Sequence, residues 1–260
     1  LYSLKVLCSV LEKRGMTDFP IHLKLDTGMH RLGFMTEEID ELMEYLATCK
    51  SVKVRSIYSH LAAADEPDCD DFTNSQVELF KKNADKITSI LPSKPLYHIL
   101  NSAGMERFPQ HQFDMVRLGI GIYGVSAIPG NNLNPVASFK CKVLQVKNLH
   151  PSDGTVGYGR HGEIAPEGTV VATIPVGYAD GLDRHLSCGK GSFSIKGHKV
   201  PTIGNICMDM TMLDVTGIDV EEGDTVTIFG EDPTVSELAE IIGTIPYEIL
   251  TTVPRRIVGV

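Results

Sequence analysis

Four runs in the first half of the chain place chemically capable side chains directly after apolar, β-rich stretches. Lys24-Leu25-Asp26-Thr27-Gly28-Met29-His30-Arg31 closes the stretch 21–25, Ser59-His60 follows 54–58, and Asn101-Ser102 follows 96–100. Arg117-Leu118-Gly119-Ile120-Gly121 lies within a further apolar stretch, 115–122. Histidine exchanges protons near neutral pH, and arginine is a permanent cation with five donors. Glycines beside such groups let backbone N–H groups approach an anion closely. Taken singly, each feature has a plain structural reading: a satisfied histidine, a surface cation, tight packing at Gly119 and Gly121. Their recurrence at the same end of successive strands points instead to a site, because barrel enzymes gather their active groups in the loops after the strands.

The second half holds three further runs: Thr155-Val156-Gly157-Tyr158-Gly159-Arg160, Gly177-Tyr178-Ala179-Asp180-Gly181 and Gly204-Asn205-Ile206-Cys207-Met208-Asp209. A tyrosine between glycines suits a hairpin turn packing on a sheet, and the third run reads as a strand with a buried cysteine. The acidic stretch Asp65-Glu66-Pro67-Asp68-Cys69-Asp70-Asp71 invites a calcium reading. Asp70 and Gln76 fall where an EF-hand needs Gly and Glu, so a solvated loop with helix-capping acids is expected. Cys8, Cys49, Cys69, Cys141, Cys188 and Cys207 form no CxxC pair, and no metal site is expected. Reduced thiols in a reducing compartment follow.

The chain has 260 residues, with 33 acidic against 24 basic side chains and a formal charge of −9. That balance argues against nucleic acid or an anionic membrane as a partner. Hydrophobic residues make up 42% and charged ones 22%, ordinary values for a globular protein. No apolar run approaches the roughly 20 residues of a membrane span, and no signal peptide opens the chain, so a cytoplasmic location is expected.

The elements that must position these groups follow from periodicity. Residues 1–11 read as an amphipathic helix, with Leu1, Leu4, Leu7, Val10 and Leu11 near one stripe. A helix opening at Thr36 and another over 74–91 separate strands at 21–25, 54–58 and 96–100, with a fourth strand at 115–122. This alternation is the signature of βαβ units, here half of a (β/α)₈ barrel. It stops near Gly130-Asn131-Asn132. From Val136 onward β runs broken by glycine indicate an antiparallel domain with one late helix over 235–243, capped by Thr234 or Ser236. The expected class is α/β: a partial TIM-type barrel over 1–132, then a mostly antiparallel β domain over 133–260. A chain that opens in mid-helix, with only four barrel strands, reads as a piece of something longer.

KLDTGMHRLGF, YSHLAAAD, HILNSAG, VRLGIGIYG, TVGYGRHGE, IPVGYADGL, IGNICMDMTMLDV and IPYEIL, in this order, resemble alanine racemase, a pyridoxal-phosphate (PLP) enzyme of the barrel-plus-β-domain type. The resemblance runs from about Lys24 to Arg256. It implies that Arg117 bonds the pyridine nitrogen, and that Ser102, the amides of Gly119 and Ile120 and the Tyr247 hydroxyl hold the phosphate. It implies that His60 bonds Arg117 and links it to the catalytic tyrosine, Tyr158, which serves the neighbouring subunit of a homodimer. Arg31, Met208 and Asp209 would line the substrate side, Tyr178 the entrance, and Lys24 would carry a carbamate that fixes Arg31.

Such a site interconverts L- and D-alanine by two bases, one on each face of the substrate, and supplies D-alanine for peptidoglycan. A phenol is a poor base at neutral pH and needs a hydrogen-bond chain to cations such as Arg117. The chain departs from the family in one respect: no VKANAYGHG-like segment with the Schiff-base lysine is present, so this chain alone is expected to be inactive. The alternatives are a non-catalytic PLP-binding or dimerisation module, a racemase acting on serine, and a barrel metallohydrolase using His60. The last is disfavoured because Asp65, Asp68, Asp70 and Asp71 crowd one loop.

Overall fold

The structure is a computed structural model that describes residues 1–128, 130–131 and 133–257. Asn132, where the sequence places the domain boundary, and the last three residues of the expected β domain lie outside the described residues. The chain divides into two units, Leu1–Gly121 with Ser126–Asn131, and Ile122–Val125 with Asn132–Val260.

The first unit runs α1 (Tyr2–Lys13), β1 (Phe19–Lys24), α2 (Ile39–Thr48), β2 (Val52–Tyr58), α3 (Asp70–Thr88), β3 (Leu96–His98) and α4 (Ser102–Arg107). The expected amphipathic helix forms, with its buried face on Leu4, Cys8 and Leu11; Val10, placed on the stripe by the sequence, is exposed instead. Strands β1, β2 and β3 pair in that order, all parallel, as βαβ connections require. Ile21, Leu23, Val54, Ile57, Phe80 and Ile99 share one buried core.

The expected fourth strand is not formed. The run beside β3 makes two backbone bonds to its neighbourhood, Asp114 N–H to Tyr97 O and Arg117 N–H to Leu100 O, both 3.0 Å. It then turns into a 3₁₀ segment, Ile120–Tyr123, because Gly119 and Gly121 are spent on Ser102 rather than on a ladder. The acidic stretch holds a 3₁₀ turn, Pro67–Cys69, and the start of α3, where Asp70 pairs with Arg107 at 2.8 Å.

The second unit contains β4 (Phe139–Lys142), β5 (Gln145–Leu149), β6 (Thr155–Val156), β7 (Gly162–Glu163), β8 (Thr169–Ile174), β9 (Ser192–Ile195), β10 (His198–Pro201), β11 (Thr211–Asp214) and β12 (Thr225–Phe229). They form sheets of order β10-β9-β12-β4, β11-β8-β5 and β6-β7, every pairing antiparallel. Phe193, Ile195, Ile174, Leu213, Val226 and Ile228 lie in its core. The β9–β10 turn, Lys196-Gly197, has positive φ at both positions, the backbone twist that suits a tight hairpin.

The late helix is α5 (Val235–Ile242). Thr234, not Ser236, caps it, with Glu237 completing a reciprocal box. A second late helix, α6 (Pro246–Thr252), adds to the single one expected, and its proline sits in the first turn, where no N–H is needed. No helix among the described residues is long and apolar enough to cross a membrane.

Candidate active site

The first unit builds a polar network at the C-terminal ends of its strands, centred on Arg117. The guanidinium Nη1 donates to His98 Nδ1 at 2.7 Å and to the His98 carbonyl at 3.3 Å. Nη2 donates to the Ser59 carbonyl at 2.5 Å, the Ile99 carbonyl at 3.1 Å and His60 Nδ1 at 3.2 Å. Arginine has no acceptor, so both imidazoles must receive these bonds on Nδ1 and carry their proton on Nε2. His98 then donates from Nε2 to Ser56 Oγ at 3.0 Å, and Ser56 donates on to His22 Nδ1 at 2.6 Å. Tyr58 stacks on His98, centroids 5.0 Å apart, and lies under the guanidinium at 5.1 Å.

The charges keep this network neutral apart from its cations. Burial, and then the Arg117 charge, push His98 down to about 4. Burial followed by Arg117, Arg31 and Lys24 pushes His60 down to about 4. Burial and the positive neighbours Arg31 and Arg117 likewise lower Lys24, the last residue of β1, whose ammonium sits 6.0 Å over the Tyr58 ring. Arg31 itself is exposed in the loop after β1. In that loop Asp26 is buried; burial alone would raise its carboxyl, but the Gly28 and His30 N–H groups, each at 3.0 Å, hold it below the usual range.

Beside the guanidinium, Ser102 opens α4, which Asn101 caps through Gly104 N–H at 2.9 Å. Ser102 Oγ accepts from Gly119 N–H at 2.9 Å and from Gly121 N–H at 3.2 Å. With both lone pairs taken, the hydroxyl has only its proton left and can act only as a donor. A Cβ on Gly121 would come to 3.3 Å from that oxygen, so a side chain there would crowd the serine. A donor-only hydroxyl fits an anionic group of a ligand, and the guanidinium, its Nη hydrogens committed to these five acceptors, keeps its Nε–H for one further acceptor.

The second unit gathers its own candidates around the loop before β11. Asn205 donates from Nδ2 to the Tyr158 carbonyl at 2.8 Å. Tyr178 and Ala179 donate backbone N–H to the carbonyls of Cys207 and Met208, both at 3.0 Å. A Cβ on Gly177 would fall 2.3 Å from the Cys207 oxygen, so only glycine permits this approach. Tyr158, Tyr178, Met208 and Asp209 are thereby tied to one loop, with Asp209 held by Arg256 at 3.1 Å.

The run 204–209 is not the strand that the sequence suggested; it is loop, and the strand begins at Thr211. Its polar Asn205 and close-packed backbone are used to carry other segments rather than to pair. Tyr158 lies in a 3₁₀ turn between β6 and β7 and is 72% exposed, so it does not pack on the sheet. Met208 is 56% exposed, and Tyr247 stands on α6.

Three contributors escape sequence reasoning. His98 carried a signal, a lone polar ring inside the apolar run 96–100, but strand alternation alone does not reveal its partner. Asn205 looked like an ordinary strand residue. Gln76, buried on α3, braces the loops after β1 and β2 by donating to Thr27 Oγ1 and the His60 carbonyl and accepting from Ala62 N–H. Among the described residues no three His, Cys, Asp or Glu side chains group as a metal site.

Comparison with known proteins assigns this arrangement. Residues 1–127 match the family model of the alanine racemase N-terminal domain, and residues 136–260 that of the alanine racemase C-terminal domain. The alanine racemase of Prochlorococcus marinus is 38% identical over 266 residues, covering 97% of this chain and 67% of that protein. The chain belongs to the alanine racemase family. Alanine racemase 2 of Bacillus subtilis is 36% identical, over 95% of this chain and 66% of its own length. Among solved structures, an alanine racemase from D-cycloserine-producing Streptomyces lavendulae superimposes with a TM-score of 0.88 at 31% identity, covering 98% of this chain and 69% of that one. The Bartonella henselae alanine racemase with covalently bound pyridoxal phosphate gives 0.83 at 30%, with the same coverage. The barrel-type fold and β domain of the family are thus those of this chain, which spans about two thirds of the length of the curated relatives it matches.

Proposed function

We propose that the protein is a PLP-dependent racemase that interconverts L- and D-alanine, providing D-alanine for peptidoglycan, and works as a cytoplasmic homodimer. The observation that carries this reading is the Arg117 guanidinium, held by His98, His60 and three carbonyls beside a hydroxyl that can only donate. PLP, when bound, supplies an electron sink for the charge left when the α-proton of the amino acid departs. Ser102, with the Gly119 and Ile120 segment and Tyr247, would hold its phosphate, and Arg117 would donate to its ring nitrogen.

A guanidinium does not surrender its proton, so Arg117 would leave that nitrogen unprotonated and the sink weak, which would limit transamination. His60 is neutral at pH 7 and accepts from Arg117, which leaves its Nε2–H to donate to the oxygen of Tyr158. That bond favours the phenolate and lets Tyr158 take or return a proton on one face of the substrate. Arg31, with Lys24 carbamylated to fix it, meets the substrate carboxylate together with Met208 and Asp209, and Tyr178 frames the entrance. The lowered Lys24 ammonium favours the neutral amine that carbamylation requires. The exposure of Tyr158 and Met208 favours service to the barrel of a second copy.

The second base is a lysine in a KANAYGHG-like context, which this sequence does not contain. The second reading is a PLP-binding or dimerisation module without activity of its own. D-alanine formation separates the two when measured on the chain and on a chimera with the N-terminal third of the Bacillus subtilis relative joined ahead of Leu1. The proposal expects activity in the chimera alone, abolished by Tyr158→Phe. A folded, PLP-loaded dimeric chimera that leaves L-alanine unchanged supports the module.

A further inference from the structure

A second chemically capable pair lies at the opposite end of the strands from Arg117, in the helical layer of the first unit. Helix α1 meets α2 and the start of β2 along a seam one turn deep at each step. Lys5 pairs with Glu41 at 3.2 Å, Cys8 Sγ lies 3.3 Å from Cys49 Sγ, and Glu12 accepts from Ser51 Oγ at 3.3 Å. The two cysteines are 41 residues apart in sequence, yet their sulfurs touch and no disulfide joins them.

Their surroundings differ. Cys8 is fully buried, with the Tyr45 hydroxyl as a second hydrogen-bond partner, and burial raises its thiol. Cys49 ends α2 and lines a cavity of about 430 Å³ together with Thr17, Asp18, Leu46, Lys50 and Lys53. Cys49 is half-buried at the cavity wall and Cys8 is fully enclosed, so a small reagent in the cavity meets Cys49 first. Lys50 and Lys53 outweigh the single carboxylate of Asp18 at the cavity, and the remaining positive charge favours an anionic reagent.

We propose that Cys8 and Cys49 form a reversible redox pair, oxidised by a small anionic disulfide that enters through the Cys49 cavity. The Cys49 thiolate attacks one sulfur of the reagent, forming a mixed disulfide and expelling one thiolate. Cys8 then gives up its proton and attacks Cys49 Sγ, closing the intramolecular bond and expelling the second thiolate. Two protein thiols are oxidised, one disulfide is reduced to two thiols, and the protons released by Cys49 and Cys8 are taken up by those thiolates. The bond ties α1 to the end of α2 and touches none of the groups around Arg117.

The test treats the folded protein with glutathione disulfide, blocks free thiols with N-ethylmaleimide and maps the peptides without reduction. The expected product is one Cys8–Cys49 linked pair, reversed by dithiothreitol, while Cys69, Cys141 and Cys207 label as before. Trypsin cutting at Lys13 or Arg14 should leave α1 attached until reductant is added. Cys8→Ser should halt at the mixed disulfide on Cys49, and Cys49→Ser should leave Cys8 free. Cys8→Ala, checked by circular dichroism, serves if the serine variant does not fold. The proposal is overturned if the wild type also stops at the mixed disulfide, if Cys8 pairs elsewhere, or if both thiols stay unreacted until the protein is denatured.

Discussion

The two units present their functional groups in opposite ways. In the first, Arg117, His98 and Ser102 sit inside a network in which nearly every donor has a named acceptor, and His98 is only 5% exposed. In the second, the exposed Tyr158 and Met208 stand on two segments, the β6–β7 turn and the loop before β11, whose backbone is fixed by Asn205 and Gly177. The barrel groups are preorganised by burial, so changing them damages fold and site together. The β-unit groups stand on a rigid support and are free at their tips, so changing them should affect function alone.

The sharpest way to break this comparison is Arg117→Ala. It strips His98, His60 and three carbonyls of their donor at once and should cost about 3 kcal/mol, read by urea denaturation. A cost near zero would mean that the network does not organise the unit.

Acid offers a second test of similar size. His98 and His60 sit at about 4 in the fold against an ordinary 6.5, so between those values the unfolded chain binds protons that the folded one refuses. Stability should be full above pH 6.5 and fall as the pH drops toward 4, by up to ~3 kcal/mol from buried His98. His98→Gln should flatten that slope.

In the second unit, Thr234→Ala removes the cap of α5 and should cost about 1 kcal/mol by the same measurement. Smallest of all, Tyr158→Phe should shift stability by no more than ~0.5 kcal/mol, since its tip is solvent-exposed. A larger loss would show that the phenol is structural.

Much of this was legible in the sequence because it depends on local pattern. The apolar stripe of Leu1, Leu4, Leu7, Val10 and Leu11 gave α1, although its buried face takes Cys8 and leaves Val10 exposed, and the alternation of strand and helix gave the parallel order β1-β2-β3. Polar residues at the ends of the apolar stretches gave Lys24, His60 and Ser102 as candidates, and Arg117 stood out as a lone cation inside the fourth stretch. Legibility failed where a residue's use is set by a distant partner. The apolar run around Arg117 looked like a strand, yet Gly119 and Gly121 give their N–H groups to a serine 17 and 19 residues earlier. The run 204–209 looked like a strand as well, yet its carbonyls serve the turn at Tyr178. His98 and Gln76 gain their roles only when three strands and a helix are assembled.

If the Arg117–Ser102 frame holds a phosphorylated pyridine, as proposed, the folded chain should take up PLP in a titration. Followed by the cofactor's absorbance, wild type should saturate, and Ser102→Ala, titrated at a temperature where circular dichroism shows the less stable variant still folded, should bind about tenfold more weakly. Equal affinity in the two proteins would contradict the account.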